Sequence, residues 1–415
     1  MRIQIYIIIY LLSLALVQIS QADELYLDNC IKQALENNYT LKLAGYNVEQ
    51  IKEKKTIAIS TYLPQLDFNS STSYNTSNNY SLGLSLRQNI YDSGKTFAQI
   101  DIASEKLNSA EYNLELTRQN LIFNVKRSFY LCLQAQEEIK IYEEEVSAMQ
   151  EHFKKAKVLY EIGLKSKFDV TKAELELLNT QLALIKAKNN FKITKITLSN
   201  IISNIQIDKY ELKDELKIEL TPEKVNLEEI KSFALKNRPE MLDAQTKIRE
   251  SEATLSLALS KYFPSLYATS GYNWKGQGFP LTNDWNVGLT LSLILFNGFS
   301  TPAEVTTANI QKETAFANEE LNRQNILLEI EQVYANLIES SETATITEKL
   351  IEQSKENLEL AKTRYEAGLG SILELIDAEV SYAQAKLNRI KTFCGYKISI
   401  AQFKKATGET ERKEK

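Results

Sequence analysis

The most constraining feature of the sequence is an internal repeat, in which the second half of the chain matches the first. Residues 27–66 match residues 227–266 at a constant offset of 200 positions, and residues 83–163 match residues 288–368 at an offset of 205 positions. Chance does not explain matches that recur in one order and one register, and such repetition indicates two copies of one structural unit. The fold must therefore join two similar halves, and the charged segment that contains Pro222 is the predicted joint.

Residues that break helices are rare within each half. The 415 residues include 13 Gly and 6 Pro; no proline lies in residues 65–221, and Gly163 is the only glycine in residues 95–270. Residues 95–162 are therefore predicted to form one helix of about 68 residues, on the order of 100 Å long at about 1.5 Å per residue. A helix of that length exceeds the width of an ordinary globular core.

Capping residues mark where the long helices begin. Asp92 or Ser93 can cap the first one, and in the second half Ser300 precedes Pro302, a proline suited to the first turn of a helix. Gly163 and Gly368 then predict the turns at which the helices reverse.

The first long helix carries a coiled-coil seam. Ile100, Leu107, Leu114 and Leu121 recur every seven residues, with small residues between them that permit close helix approach. The alternative is an isolated helical hairpin without a role in assembly.

These patterns give a predicted domain organisation. The expected order is a signal peptide over 1–22, a first repeat over 23–206, a linker over 207–224, a second repeat over 225–408 and a charged tail over 409–415. Strands are expected at about 66–91 and 265–296, and long helices at about 95–162, 168–203, 302–367 and 373–406.

The N-terminus reads as an export signal. An apolar run from Ile3 to Ile19 follows Arg2 and ends before small residues at Ser20 and Ala22 that suit cleavage. An uncleaved membrane anchor is the alternative. Export to an oxidising compartment does not bring a disulfide framework, because the cysteines are odd in number, far apart and without a C-x-x-C pair, so buried or free thiols are expected at Cys30, Cys132 and Cys394.

Charge and composition argue against several functions. The chain has 49 Lys and Arg against 54 Asp and Glu, a net charge of -5, and no basic block, so no nucleic-acid partner is expected. His152 is the only histidine, which argues against a histidine metal cage and against common hydrolase and zinc chemistry. No nucleophile, base and orienting group are seen in combination, so neither an enzyme activity nor a cofactor is expected. His152 is predicted to be a surface residue, and the glutamates at 137–138 and 143–145 are predicted to form a solvated helix face.

Between the predicted long helices, apolar residues recur at every second position. From Trp285 to Leu293 large apolar residues occupy the odd positions and small or polar residues the even ones, and residues 81–87 alternate in the same way. One apolar and one polar face is what a membrane β-strand needs. A second strand, with weaker alternation, is predicted before each of these two segments, directly after Pro64 in the first repeat and after Pro264 in the second. The alternative is a pair of half-buried hairpins in a soluble domain.

Aromatic residues cluster near the predicted hairpin turns, as expected of an interfacial girdle: Tyr74, Tyr80, Trp274 and Trp285. Four strands cannot close a barrel, because single-chain membrane barrels begin at about eight strands and lipid does not tolerate open sheet edges. The barrel must therefore be shared between chains, although this reasoning leaves the number of chains open.

These features together resemble the TolC-like outer membrane efflux protein family over nearly the entire mature chain. The matching residues are 34–38 (Ala-Leu-Glu-Asn-Asn), Leu63-Pro64 and Phe263-Pro264 before the strands, residues 91–94 and 296–298 after them, and both glycine turns.

The resemblance implies a mainly α fold with membrane β-structure. It implies a homotrimer in which four strands per chain form a 12-stranded barrel in outer-membrane lipid and the long helices form a periplasmic tunnel. It further implies a passive exit duct for small molecules or proteins, in a tripartite efflux pump or type I secretion system. The implied partners are a periplasmic adaptor and an inner-membrane pump.

The resemblance also implies roles at the glycine turns. The family pattern R-x-x-x-G-x-x-S/T-x-x-D/E places adaptor docking at Arg364, Gly368 and Ser371, and at Gly163 and Ser166 in the first repeat, where Leu159 replaces the basic residue. The family's constriction network of a tyrosine, a basic residue and two acids maps onto Tyr365, Gly370, Glu374 and Asp377, with Asp169 from the first repeat. Gly370 departs from the pattern because it carries no charge.

A competing interpretation is a structural trimeric coiled-coil protein without transport activity. It would not place its strands in lipid and would tolerate charge on their apolar face.

Overall fold

The computed structural model describes residues 23–74, 78–204, 210–214 and 226–409. The predicted signal peptide over 1–22, most of the predicted linker over 207–224 and residues 410–415 of the predicted tail lie outside the described residues.

The described elements alternate between short strands and helices of very different lengths. In chain order they are β1 Asp23–Leu25, α1 Leu27–Asn37, α2 Tyr39–Ser60, β2 Gln65–Tyr74, β3 Asn78–Tyr91, α3 Lys95–Glu161, α4 Lys167–Ile202, β4 Tyr210–Leu212, α5 Leu227–Asn237, α6 Pro239–Leu259, β5 Ser265–Gly276, β6 Thr282–Ser292, α7 Ser300–Glu366 and α8 Ile372–Thr407.

The structure confirms the predicted fold class, with two repeats that each contain a β-hairpin and two long helices. Helices α3 and α7 both have 67 residues, and α4 and α8 both have 36. Among the described residues, none of the helices is apolar over a long enough stretch to cross a membrane.

Two polar side chains start the longest helices. The Asp92 carboxylate accepts a hydrogen bond from the Thr96 amide at 2.9 Å, as predicted for a cap. In the second repeat Ser300 was predicted to be the capping residue, and this prediction was wrong. The Thr301 amide instead donates a hydrogen bond to the side-chain oxygen Oδ1 of Asn297 at 3.4 Å. Asn297 is the counterpart of Asp92 at the offset of 205, so both repeats cap at the same position.

Each repeat also begins with two shorter helices that the sequence patterns did not predict. The residue between them points its side chain at the end of that repeat's last helix: Asn38 Nδ2 donates to the Ile201 carbonyl at 3.0 Å, and Arg238 Nη1 donates to the Ala406 carbonyl at 3.3 Å. Ile201 and Ala406 are equivalent at the offset of 205. The duplication therefore preserves a contact between the start and the end of each repeat.

The two hairpins form one antiparallel sheet with the order β2–β3–β5–β6. Strand β6 ends at Ser292, opposite Ser265, whereas the sequence predicted strand to about residue 296. The residue before Ser265 is Pro264, which has no amide hydrogen to donate, so the ladder stops there although Leu293 and its neighbours are apolar.

A smaller parallel sheet joins β1 to β4. The Gln136 side chain completes it, because its amide bonds both the carbonyl and the amide of Leu212, at 3.0 and 3.1 Å. The first described residues are thus bound to the segment between the repeats and to the middle of α3.

The chain divides into two compact units, both of which contain parts of α3 and α7. The sheet unit comprises Tyr39–Gln119, Asn226–Glu331 and the residues from Ala406 onward, and the helical unit comprises the described parts of Met1–Asn38, Asn120–Val225 and Gln332–Lys405.

Replacement of Arg238 should destabilise the sheet unit. Its side chain is 5% exposed and bonds Glu240 and Glu329 at 2.6 Å each, so Arg238→Ala leaves two carboxylates without their shared cation. We expect a loss of about 2–4 kcal/mol in unfolding free energy. Thermal and denaturant unfolding in detergent measures it, with Arg323→Ala as control because Arg323 pairs with Glu320 on an exposed surface. Equal losses in the two variants would contradict the role of burial.

Candidate functional site

The sheet has two chemically different faces. Its register places Phe68, Leu84, Tyr272 and Trp285 opposite one another in one row. The adjacent row on that face contains Leu66, Leu86, Ser270 and Val287. Trp285, Val287 and Leu289 are 69–72% exposed, so this apolar face is open in the single chain.

The opposite face is polar and crowded. One row contains Asp67, Ser85, Gly271 and Asn286, and the next contains Asn69, Gly83, Asn273 and Asp284. A Cβ atom on Gly83 would lie 2.5 Å from Asn273 Oδ1, and one on Gly271 would lie 2.6 Å from Asn286 Oδ1. These glycines make room for asparagine side chains on the polar face. Sequence reasoning missed them, although glycine at the small positions of the alternation was the available signal.

The sheet has two free edges. Among the described strands, β2 and β6 each have one neighbour, so the hydrogen-bonding groups on their outer sides meet no further strand. The two edge strands belong to different repeats.

The predicted girdle residues share the apolar face. Tyr74, Tyr80, Trp274 and Trp285 occupy four successive rows at the end of the sheet nearest the hairpin turns. A second aromatic group, which the sequence analysis missed, lies where strands meet helices and is largely exposed. Its members are Tyr62, Tyr91, Phe97, Phe263, Phe296 and Phe299. Their positions beside Pro64, Pro264 and the helix starts were the signal that could have found them.

In the helical unit, the two glycine turns have the same geometry. We call residues 159–169 and 364–377 the tip. Gly163 and Gly368 have φ of 78° and 74°, in the left-handed region that suits glycine. The Leu164 amide donates to the Leu159 carbonyl at 2.9 Å, and the Leu369 amide donates to the Arg364 carbonyl at 2.9 Å. Both long helices therefore end in a Schellman-type turn.

The serine of the family pattern caps the next helix in each repeat. Ser166 and Asp169 form a reciprocal capping box, with the Ser166 amide donating to Asp169 Oδ2 at 3.0 Å. In the second repeat the Glu374 amide donates to Ser371 Oγ at 3.1 Å. Gly163, Ser166, Gly368 and Ser371 thus have local structural roles, and Asp169 is engaged by the N-terminus of its own helix.

The predicted constriction residues are partly brought together. Arg364 Nε lies 3.7 Å from Glu374 Oε2 across the turn, and the Lys165 ammonium lies 5.9 Å from the centre of the Tyr365 ring. Burial raises the pKa of the half-buried Tyr365, and the nearby Asp169 carboxylate raises it further. Glu374 and Asp377 are exposed, on a different side of α8 from the buried Ile372, Leu375 and Ile376.

Position 370 is tightly packed against the end of α7. A Cβ atom there would lie 3.1 Å from the Tyr365 amide nitrogen and 3.2 Å from Arg364 Cβ. Lys165, the counterpart of Gly370 at the offset of 205, supplies a cation beside Tyr365 from the first repeat instead.

Of two predictions about the helix surface, one was wrong and the other was wrong in part. His152 is 7% exposed rather than on the surface, and its Nε2 lies 2.7 Å from Glu379 Oε2 on another helix. In the glutamate runs, Glu143 and Glu144 are exposed as predicted, whereas Glu137, Glu138 and Glu145 are half-buried. Which member of a run turns inward depends on helix packing, which the sequence alone does not give.

The cysteines are buried and free within the described residues. Burial raises the pKa of the Cys30 thiol to about 12 and that of the Cys132 thiol to about 11. Such thiols remain protonated and are poor nucleophiles. No group of three or more His, Cys, Asp and Glu residues in the described part of the chain is arranged to hold a metal ion.

Comparison with known families gives a match in both repeats. The model of the family called Outer membrane efflux protein matches residues 30–204 and 231–409. The chain belongs to the outer membrane efflux protein family. The resemblance seen in the sequence is thereby confirmed, and so is the outer membrane as the location.

Two relatives with similar sequences match over most of their length. The outer membrane protein TolC of Vibrio cholerae is 22% identical over 391 residues, covering 91% of this chain and 89% of TolC. The cation efflux system protein CusC of Escherichia coli K12 is 20% identical over 379 residues, covering 86% of this chain and 81% of CusC.

Solved structures show the same fold. The CmeC outer membrane channel of Campylobacter jejuni superposes with a TM-score of 0.85 at 22% identity, covering 94% of this chain and 87% of CmeC. The open-state MtrE outer membrane channel of Neisseria gonorrhoeae gives a TM-score of 0.79 at 20% identity, covering 92% of this chain and 88% of MtrE.

Glu145 should make the helical unit less stable as pH rises. Burial, and next the charge of Glu176, raises the pKa of the Glu145 carboxyl from 4.5 to about 7. Because the folded state holds this proton more tightly, the stabilisation is present below about pH 4.5 and is lost as pH rises through about 7. The unfolding midpoint in detergent should fall over this window, and Glu145→Gln should flatten the slope. The exposed Glu151→Gln is the control, and an unchanged slope in Glu145→Gln would contradict the assignment.

Proposed function

We propose that the chain is the passive exit duct of a tripartite efflux pump, assembled as a homotrimer in the outer membrane. The observation that carries the proposal is the four-stranded sheet with one apolar face, one polar face and two free edges. In lipid the backbone groups of a free edge would lose their hydrogen bonds, which costs several kcal/mol for each group. Copies of the same chain can satisfy both edges at once.

The sheet favours three copies over two. Strands β2 and β6 run in opposite directions in the sheet, so β6 of one copy can pair antiparallel with β2 of the next. Two copies would give about eight strands, whose interior is filled by side chains, whereas three give about twelve and leave an open lumen. The polar face with Gly83 and Gly271 suits a water-filled lumen.

The spacing of the aromatic residues supports a membrane-spanning sheet. Tyr80 and Tyr91 lie 11 positions apart on β3. At about 3.3 Å per residue and a strand tilt of about 40°, they are about 28 Å apart along the membrane normal, close to the apolar band of about 25 Å in outer-membrane barrels. The two aromatic groups would then lie at the two interfaces of the bilayer.

Helix α4 offers the seam for the tunnel. Leu175, Leu178, Leu182 and Ile185 follow the three-four spacing of a coiled coil and are 51–66% exposed in the single chain. A neighbouring copy would cover this row. The long helices would then enclose a periplasmic tunnel, with Tyr365, Glu374, Asp377 and Asp169 at its constriction.

The partners in this proposal are a periplasmic adaptor, which would dock at the tip around Gly163, Ser166, Arg364, Gly368 and Ser371, and an inner-membrane pump. Capture of the cross-linked complex from membranes identifies the pump and hence the cargo class. Recovery of a protein-exporting transporter would replace efflux by type I secretion.

A lysine on the apolar face should block assembly in the membrane. Leu289→Lys places a charge where the proposal places lipid, at a cost of about 2–4 kcal/mol per chain near the bilayer centre. We expect loss of heat-modifiable trimers in outer-membrane fractions and loss of currents in planar bilayers. Thr290→Lys is the matched control, because Thr290 lies on the polar face and its lysine would meet water. Normal assembly of Leu289→Lys would favour the structural, non-transporting interpretation.

The exposed acids of the tip should control ion passage. In a trimer, three copies of Glu374 and Asp377 would bring like charges together and attract cations. If the acids hold cations in the constriction and so obstruct it, neutralisation in Glu374→Gln/Asp377→Gln should raise conductance and lower cation preference by about twofold or more. Reversal potentials in planar bilayers measure this, with Glu359→Gln on the exposed side of α7 as control. Unchanged currents would rule out a constriction at these residues.

A further inference from the structure

A polar cavity lies at the base of the sheet, where the strands meet the start of α3. Its volume is about 510 Å³, within the range of about 300–1,000 Å³ that is usual for small-molecule sites. Apart from Leu63 and Tyr267, the residues that line it are polar or charged. All of them belong to the sheet unit of one chain, so the walls of the cavity do not depend on a neighbouring copy.

Two cations in the cavity have no carboxylate partner. Arg87 and Lys95 form no ion pair with a carboxylate of the described residues. The acid among the described lining residues is Asp92, and its carboxylate already accepts hydrogen bonds from the Thr96 amide and the Thr96 hydroxyl. Because the N-terminus of α3 offsets the charge of Asp92, the cavity has an excess of positive charge.

An aromatic ring holds the Arg87 guanidinium in position. The central guanidinium carbon lies 4.6 Å from the centre of the Tyr267 ring, on the polar face of the sheet. A guanidinium stacked in this way keeps its N–H donors at its edge, in the planar arrangement that suits two oxygens of a carboxylate or phosphate. The side-chain amides of Gln65 and Gln99 also have no hydrogen-bond partner within the described ranges, so they can donate to the same ligand.

Side-chain hydrogen bonds fix the walls of the cavity. Asn89 Nδ2 donates to the Thr61 carbonyl at 3.3 Å, which joins β3 to the segment before β2. Ser93 Oγ donates to the Pro264 carbonyl at 2.7 Å, which joins the start of α3 to the segment before β5. A ligand therefore meets donors whose supports are already ordered, which lowers the entropic cost of binding.

The equivalent corner of the second repeat lacks these two cations. Ser292 and Ser300 stand at their positions, at the offset of 205. Lys261 and Glu304 stand at the positions of two neutral lining residues of the first repeat, and they form an ion pair with each other. The second corner thus pairs its own charges, whereas the first leaves two cations available to a ligand.

We propose that this cavity is a binding site for small organic anions that carry carboxylate or phosphate groups, with Arg87 and Lys95 as the residues that bind the anion. Its position on the polar face puts it in the lumen of the duct, and this part of the inference rests on the proposed function. Anions that move from the tunnel into the barrel bind at this junction, which three copies of the site would enrich in anions. The inference therefore adds organic anions to the cargo.

The first test measures binding to the purified protein in detergent. Isothermal titration calorimetry with citrate in about 0.1 M NaCl should give one site per chain. Inorganic phosphate should compete with citrate, and glucose, which is uncharged, should not bind. Arg87→Gln should raise the citrate Kd about tenfold or more, the size expected for the loss of a charged hydrogen bond.

Lys275→Gln is the matched control for Arg87→Gln. Lys275 also lies on the polar face, but six positions along β5 from Thr269, the residue opposite Arg87, so it is about 20 Å from the row of Arg87. Its citrate Kd should change by less than about twofold, because exposed charges more than about 10 Å apart are largely screened in this salt. Equal weakening in both variants would show that the general charge of the face, and not the cavity, attracts citrate.

The second test asks whether the bound anion lies in the conducting path. In planar bilayers citrate should reduce the current through wild-type channels, with half of its effect at the Kd measured in detergent. Arg87→Gln should need about tenfold more citrate for the same effect, whereas Lys275→Gln should respond as the wild type does.

The outcomes separate the two proposals. If the wild type neither forms trimers nor conducts, the exit-duct proposal fails, and the lumenal role of the cavity fails with it. If channels form but citrate does not bind, or binds equally well to Arg87→Gln, the duct stands and the anion site is refuted. If citrate binds through Arg87 without changing the current, the cavity lies outside the conducting path and the inference about cargo is refuted.

Discussion

The hydrogen-bonding groups at the edges of the sheet constrain the rest of this molecule. A strand in lipid has no water to satisfy its amides and carbonyls, so every edge must find another strand. Here the sheet begins with β2 of the first repeat and ends with β6 of the second. The duplicated chain supplies two hairpins that pair with each other through β3 and β5, and it leaves one unpaired edge at each end of the sheet.

The duplication also explains which contacts are repeated and which are not. The equivalent positions Asp92 and Asn297 cap a long helix in their respective repeats, and Gly163 and Gly368 end one. These residues form local structure that both copies need. The tip residues outside that local structure differ, because Leu159 stands where the second repeat has Arg364. The repeats therefore share the caps and turns of their local structure, whereas the contact of Arg364 with Glu374 has no basic counterpart in the first repeat.

The sequence was sufficient for features that depend on local periodicity. The period-two strands, the long helices and their glycine turns all leave patterns within one element, and the family resemblance rested on them. Helices α2 and α6 were not predicted, and burial does not explain it, because α2 has no buried residue in the single chain whereas its counterpart α6 buries Met241, Ala244 and Ala258. His152 was misplaced because its burial depends on a distant part of the chain. Its charged neighbours in the sequence indicated a surface, but burial depended on Glu379, 227 positions away, which no local pattern reports.

Two kinds of contact join the helical hairpins of the helical unit, and they have different physical effects. A cluster that includes Met149, Ala156, Leu177, Ile372 and Ile376 joins the two hairpins through apolar contacts. Such contacts stabilise by area and have little directional preference, so helices can shift against one another at small cost while the area stays buried. A buried hydrogen bond such as that of His152 has a fixed length and angle and is lost after a displacement of about 1 Å. The apolar cluster therefore sets how tightly the hairpins associate, whereas the few polar contacts between them set the position in which they rest.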